Sequence, residues 1–158
     1  GHHQDPLCDP MTTLTGQIIA AAIVALNTNR PVGIPVAERT RTKDLTPPLL
    51  SAITVRPRRD SVTQLEPGCP ITDRVLTLDV ECSAKATAAL TSDTAAETLR
   101  AWVVKSLTLE PTLGGIANEM NEGDTDYEFS QADYQFCRAT MQMNVRYQAR
   151  TTDLEQRA

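Results

Sequence analysis

The predicted strand from residue 134 to residue 150 constrains the fold most strongly, because apolar and polar side chains alternate without interruption from Cys137 to Arg150. Successive side chains of a β-strand point to opposite faces of a sheet, so this pattern predicts a strand with one buried and one solvated face. The predicted buried face contains Cys137, Ala139, Met141, Met143, Val145, Tyr147 and Ala149. The predicted solvated face contains Arg138, Thr140, Gln142, Asn144, Arg146, Gln148 and Arg150.

Two segments have the apolar spacing of amphipathic helices. The first predicted helix covers 13–27, and the residues that follow, 28–48, are rich in Pro, Arg and Thr and are expected to be extended without forming a central strand. The second predicted helix covers about 94–108. Its start is assigned to a capping box formed by Thr94 and Glu97.

Three more strands are predicted, over 49–57, 72–86 and 115–122, the last followed by a turn around Gly123. A long basic loop is expected between the first two of these strands. The resulting order, α-β-β-α-β-β, predicts an α+β fold in which a mainly antiparallel sheet carries both helices packed on one face.

Length and charge limit the class of protein. Residues 1–10 contain both histidines and are expected to be an added remnant or a disordered arm, and residues 11–158 are expected to form a single domain. Leaving out Asp5 and Asp9 changes the formal net charge from −5 to −3. This mild negative charge argues against a dedicated nucleic-acid binder, which is usually strongly basic. No apolar run reaches the length of about 18 residues that predicts a membrane span.

The cysteines and histidines of the chain limit which metal sites, disulfides and catalytic nucleophiles it can form. Beyond Cys8 the chain has Cys69, Cys82 and Cys137, and an odd number of cysteines predicts a reducing compartment without a disulfide framework. No C-x-x-C pair and no histidine occur after residue 10, so neither a zinc site nor a histidine-dependent nucleophile is expected. Cys82 and Cys137 are predicted core residues. No cofactor, metal or catalytic residue is predicted.

An acidic run has part of the spacing of a calcium loop. Asp124, Asp126 and Glu128 match the first three ligand positions of an EF-hand, but the sixth position is Phe129 instead of Gly and the twelfth is Gln135 instead of Glu. The calcium-loop interpretation therefore fails. A solvated acidic hairpin is predicted, with a weak, exposed cation site as the alternative.

Charged residues of opposite sign occupy different segments of the chain, an arrangement that a head-to-tail ring of subunits could use for its contacts. The alternative is that these charges serve solubility alone. The basic candidates for such an interface are Arg39, Arg41, Arg56, Arg58 and Arg59. The acidic candidates are Glu119, Glu122, Asp124, Asp126 and Glu128.

The predicted order of elements and the hairpin sequence "NEGDTDYEFSQADYQFCRATMQMNVRY" resemble the tail terminator proteins of long-tailed bacteriophages, of the minor tail protein U type. The residues that match this family are Ser130, Ala132, Asp133 and Tyr147, with Asp124, Asp126 and Tyr127 upstream. Residue-level similarity covers about 119–147. The segments 28–48 and 56–72 are longer than in the compact form of the family.

This resemblance implies a structural virion protein without catalysis, assembled in the host cytoplasm. Such proteins form a homo-oligomeric ring, usually a hexamer, on the head-proximal end of the tail tube. The ring ends tube polymerisation and provides the surface for head–tail joining. Its implied partners are the tail tube protein and the head–tail connector, and DNA passes through its lumen. The alternatives are another tail or neck subunit, or a small-ligand-binding α+β domain.

Overall fold

A computed structural model describes residues 13–39, 50–64, 67–130 and 135–157. They form an α+β fold with a mostly antiparallel six-stranded sheet and two helices. The elements are α1 (Leu14–Asn27), β1 (Ala37–Glu38), β2 (Ser51–Gln64), β3 (Ile71–Lys85), α2 (Ser92–Thr108), β4 (Glu119–Phe129), β5 (Phe136–Arg150) and β6 (Asp153–Arg157). The predicted order of elements was therefore wrong, because it lacked the short strands β1 and β6. Residues 1–10 were predicted to be an added remnant or a disordered arm. They lie outside the described residues, so this stays a prediction.

The strands lie side by side in the order β1-β2-β3-β5-β4. β1 runs parallel to β2, and the other neighbours are antiparallel. β6 folds back on the end of β5, where Ala149 is paired with Arg157. β3 and β5 are therefore the central strands, whereas β4 and most of β2 have an outer margin that no described strand pairs.

The two helices begin at threonine caps. The Thr13 hydroxyl accepts a hydrogen bond from the amide of Gly16 (3.2 Å), as expected for an N-cap, so the predicted start of α1 is confirmed. The predicted start of α2 was wrong, because the helix begins at Ser92 after Thr91. The Thr91 hydroxyl donates a hydrogen bond to Thr94 instead of capping the helix backbone.

The predicted basic loop after residue 57 is the second half of β2. This strand continues through Pro57, Arg58 and Arg59 and pairs with β3 as far as Gln64, with a β-bulge between Pro57 and Arg59. Proline lacks the amide hydrogen that a central strand needs, but it is tolerated on an edge strand or at a bulge. Arg56, Arg58 and Arg59 are therefore fixed on a strand.

The predicted turn at Gly123 is also wrong. Gly123 lies inside β4, where the register with β5 shifts between Glu122 and Thr125. A Cβ atom at Gly123 would lie 3.2 Å from the carbonyl oxygen of Gln142, so this close approach to β5 favours a residue without a side chain. The bulge lets β4 continue to Phe129, seven residues beyond its predicted end.

The sheet has two chemically different faces. The face that we call the helix face joins both helices in one hydrophobic core, which includes Leu78 of β3, Met141 of β5, Ile18 of α1 and Val103 of α2. Cys82 and Cys137 are buried in this core, as predicted. Burial raises the pKa of the Cys82 thiol to about 12, which keeps the thiol protonated and unreactive at neutral pH.

The opposite face, which we call the polar face, is held together by bonds between polar side chains. Thr77 donates to the side-chain oxygen of Asn144 on the neighbouring strand (3.0 Å), and Gln148 donates to Asp73 (2.8 Å). Thr77 and Asp79 are buried although they point away from the helices. Long neighbouring side chains therefore shield much of this face.

Candidate functional site

The two margins of the sheet carry charges of opposite sign. The strand β4 has five acidic residues and no basic residue between Glu119 and Phe129. We call its outer edge the acidic margin. At the other end of the sheet, residues 56–64 of β2 contain three arginines and one aspartate, and we call their outer edge the basic margin. The residues of the predicted acidic hairpin thus lie on an exposed edge strand. The residues of the predicted basic loop lie on a strand at the opposite end of the sheet.

Three of the acidic candidates form ion pairs within the chain. Glu119 contacts Arg146 at 2.9 Å, and Glu122 contacts Arg100 of α2 at 3.0 Å. Glu128 lies 3.8 Å from a side-chain nitrogen of Arg138. These pairs join β4 to its neighbours, so part of the acidic run stabilises the subunit itself.

Two of the basic candidates are paired in the same way. Arg56 contacts Glu81 of β3 at 2.6 Å, and Arg58 lies 3.8 Å from Asp79. Both arginine side chains remain about half exposed. The partner carboxylates of Glu81 and Asp79 are largely buried, so these pairs hold Arg56 and Arg58 against the polar face of their own subunit.

Four candidates make no ion pair with another described residue. Asp124 and Asp126 are exposed on the acidic margin, and Arg59 is exposed on the basic margin. Arg39 is exposed just after β1. The tenth candidate, Arg41, lies outside the described residues. The uncompensated charge is therefore negative on one margin and positive on the other.

Two aromatic side chains extend the acidic margin toward α2. Tyr127 and Phe129 are each 43% exposed, and they line a groove with Glu97 and Ala101 of the helix. The Tyr127 hydroxyl donates a hydrogen bond to Glu97. This bond lowers the pKa of the Glu97 carboxyl and raises the pKa of Tyr127.

Arg100 fixes β4 against the helix. Its guanidinium donates to Thr125 (2.9 Å), to Glu122 (3.0 Å) and to Glu97 (2.7 Å). One α2 side chain therefore holds β4 on both sides of its bulge. Arg100 was not among the predicted site residues, although Glu97 and Arg100 have the i, i+3 spacing of a helical ion pair, which is a sequence signal for this contact.

Replacing Arg100 with methionine should lower the free energy of unfolding by about 1 to 2 kcal/mol, because three charge-assisted hydrogen bonds are lost from a partly exposed group. Urea unfolding followed by circular dichroism measures this difference. Lys105→Met is the matched control, since Lys105 is an exposed cation on the same helix and has no ion pair among the described residues. Equal losses in the two variants would show that Arg100 does not hold β4.

A second groove lies between the two helices and has a volume of about 700 Å³. Its lining includes Val24 and Leu109, both strongly exposed, and the half-buried Trp102. The Trp102 indole donates to the carbonyl of Leu26 (3.0 Å) and thereby ties α2 to α1. Ser106 is buried beside this groove, and its hydroxyl has no hydrogen-bond partner among the described residues.

Comparison with known proteins does not place the chain in a family. No protein-family model matches it, and no curated protein matches it. Within the described ranges, no three His, Cys, Asp or Glu side chains are grouped as a metal site would require. Neither α1 nor α2 is long and apolar enough to cross a membrane.

Proposed function

We propose that this protein is a phage tail terminator, a structural virion protein that caps the head-proximal end of the tail tube as a ring. The observation that carries the proposal is the opposite charge of the two margins of one sheet. A surface that complements a different surface of the same molecule supports head-to-tail association, and such contacts generate rings when the rotation closes. The sequence resemblance to tail terminators supplies the biological setting.

Capping follows from the two unlike ends of such a ring. One end would match the last ring of tail tube protein, and the other end would not, so no further tube subunit can add. That second end would bind the head–tail connector, and DNA would pass through the lumen. The ring is expected to contain about six subunits, as in the family that the sequence resembles, and to reside in the virion tail.

Removal of the gene from the phage that encodes it should give tails of uncontrolled length, because nothing stops tube polymerisation. Electron microscopy of lysates measures tail length directly, and a plasmid copy of the wild-type gene should restore normal tails. Normal-length tails that lack heads would instead identify a joining protein of the neck, which is the main alternative within the virion. Normal tails attached to heads would refute both assignments.

A small-ligand-binding domain is a second candidate, and the groove between α1 and α2 favours it. The groove combines apolar side chains with the Ser106 hydroxyl, which has no hydrogen-bond partner in the described part of the chain, a combination found in ligand sites. Native mass spectrometry of the purified protein tests this candidate. A bound small molecule that is lost in a groove-filling Ala25→Trp variant would support it, and a chain that carries no added mass would contradict it.

A further inference from the structure

We infer that the subunits of the ring are joined by strand addition, in which the acidic margin of one copy pairs with the basic margin of the next. The sheet would then continue from subunit to subunit through main-chain hydrogen bonds. This inference rests on the proposed ring, and it replaces contacts between charged loops by a contact between edge strands.

The acidic margin has backbone groups available for such bonds. The amide of Ser130 donates to the carbonyl of Phe136 (3.3 Å), which fixes the alternation of the ladder between β4 and β5. In an antiparallel ladder every second residue directs its amide and carbonyl away from the partner, so those of Thr125 and Tyr127 point outward. An unpaired edge of this kind is a template for another strand.

The directions of the strands allow β4 of one copy to pair with β2 of the next. Each step from β2 to β3, to β5 and to β4 is antiparallel, so β4 runs opposite to β2 within one subunit. A second copy in the same orientation therefore presents its β2 antiparallel to β4 of the first. The sheet would continue with the hydrogen-bonding pattern that it already has.

The two margins also match in the faces to which their side chains point. Asp126 lies across from Thr140 and Arg59 across from Thr77, so the acid and the base both belong to the polar face. On the helix face, Tyr127 and Phe129 of one margin have the exposed Val62 as their counterpart on the other. Continuing the sheet thus places the opposite charges of both margins on one face and the apolar groups of both margins on the other.

Pairing between identical margins is disfavoured by charge. Two acidic margins would place the five carboxylates of one β4 against those of another, and two basic margins would bring arginines together. Like charges opposite one another destabilise a strand pair, whereas opposite charges stabilise it. The charges therefore select the unlike pairing, which is the head-to-tail arrangement.

A charge-exchange experiment tests the contact. Sedimentation velocity over a range of concentrations should show oligomers of the wild-type chain, and Asp126→Arg or Arg59→Asp should each raise the dissociation constant about tenfold or more. The double variant, with both charges exchanged, should recover most of the wild-type affinity. Glu155→Arg is the control, because it makes the same charge change on an exposed part of β6. A wild-type chain that remains monomeric, or single variants that assemble normally, would overturn the inference.

A second pair of variants distinguishes strand addition from side-chain contact alone. Tyr127→Pro removes an outward amide and is compatible with an edge strand, whereas Tyr127→Ala removes the same side chain but keeps the amide. Strand addition predicts a clearly weaker assembly of the proline variant than of the alanine variant, with the folded circular dichroism spectrum retained in both. Equal assembly of two folded variants would refute it. If the proline variant does not fold, the charge exchange decides.

The two proposals can fail separately. Rings that depend on Asp126 and Arg59, in a phage whose tails keep their normal length without the gene, would leave strand addition standing and remove the terminator function. Overlong tails without the gene, combined with single variants that assemble as the wild type does, would leave the terminator function standing and remove strand addition.

Discussion

Replacing Leu78 with alanine should lower the free energy of unfolding by about 3 to 5 kcal/mol, because a large side chain is removed from the centre of the core and the cavity collapses only in part. Leu78 is fully buried on the central strand β3 and lies across from Met143 of β5. Urea unfolding followed by circular dichroism measures the loss. This is a large share of the stability of a domain of this size, so the variant should be poorly folded at 37 °C.

Leu109→Ala is the matched control for this prediction. It removes the same atoms from a side chain that is 72% exposed, so the loss should stay within about 0.5 kcal/mol. Similar losses in the two variants would mean that the sheet face at Leu78 is not the core of the domain.

Replacing Asp60 with alanine should lower the free energy of unfolding by about 2 to 4 kcal/mol. Its carboxylate accepts the hydroxyl of Tyr147 (2.8 Å to the nearer oxygen) and lies 3.1 Å from a guanidinium nitrogen of Arg74. Tyr147 is 2% exposed, and burial together with the bond to Asp60 raises its pKa. Removing the acid leaves a buried hydroxyl without its acceptor and a largely buried cation without its partner.

The Asp60→Asn variant separates the loss of the hydrogen-bond acceptor of Tyr147 from the loss of the charge that pairs with Arg74. The asparagine oxygen can still accept the Tyr147 hydroxyl, but the negative charge beside Arg74 is gone, so an intermediate loss of stability is expected. Thermal and urea unfolding of the three proteins give the comparison. An alanine variant as stable as the wild type would show that the three residues do not act as one buried cluster.

The sequence predicted the elements whose two faces differ in polarity. β5 alternates between buried and more exposed residues along its whole length, β3 alternates between apolar and polar residue types, and both helices have one apolar stripe, so these elements were readable. β4 is exposed or partly exposed on both faces, which leaves no alternation to detect. The second half of β2 was missed because Pro57 and the arginines are typical of loops, and only its position at the edge of the sheet makes them acceptable in a strand.

The sequence predicted which charged residues belong to the candidate site, but not which of them form ion pairs within the subunit. Charge alone selected Asp126 and Arg59, which are exposed on opposite margins. It also selected Glu119, whose partner Arg146 is 27 residues away in the chain. That pair depends on the cross-strand register of β4 and β5, and a sequence without a known register cannot separate internal ion pairs from free charges.

The β-bulges in β4 and β2 affect how many copies an assembly of this kind would contain. Bulges lie between Glu122 and Thr125 on β4 and between Pro57 and Arg59 on β2, and each one bends its strand and increases its local twist. Straight margins could add copies in a flat ribbon without limit. In the proposed assembly, bent margins would turn each added copy by a constant angle, and the row would close where that rotation brings its first and last members together. The number of subunits in a closed ring would then be set by the backbone curvature at two bulges.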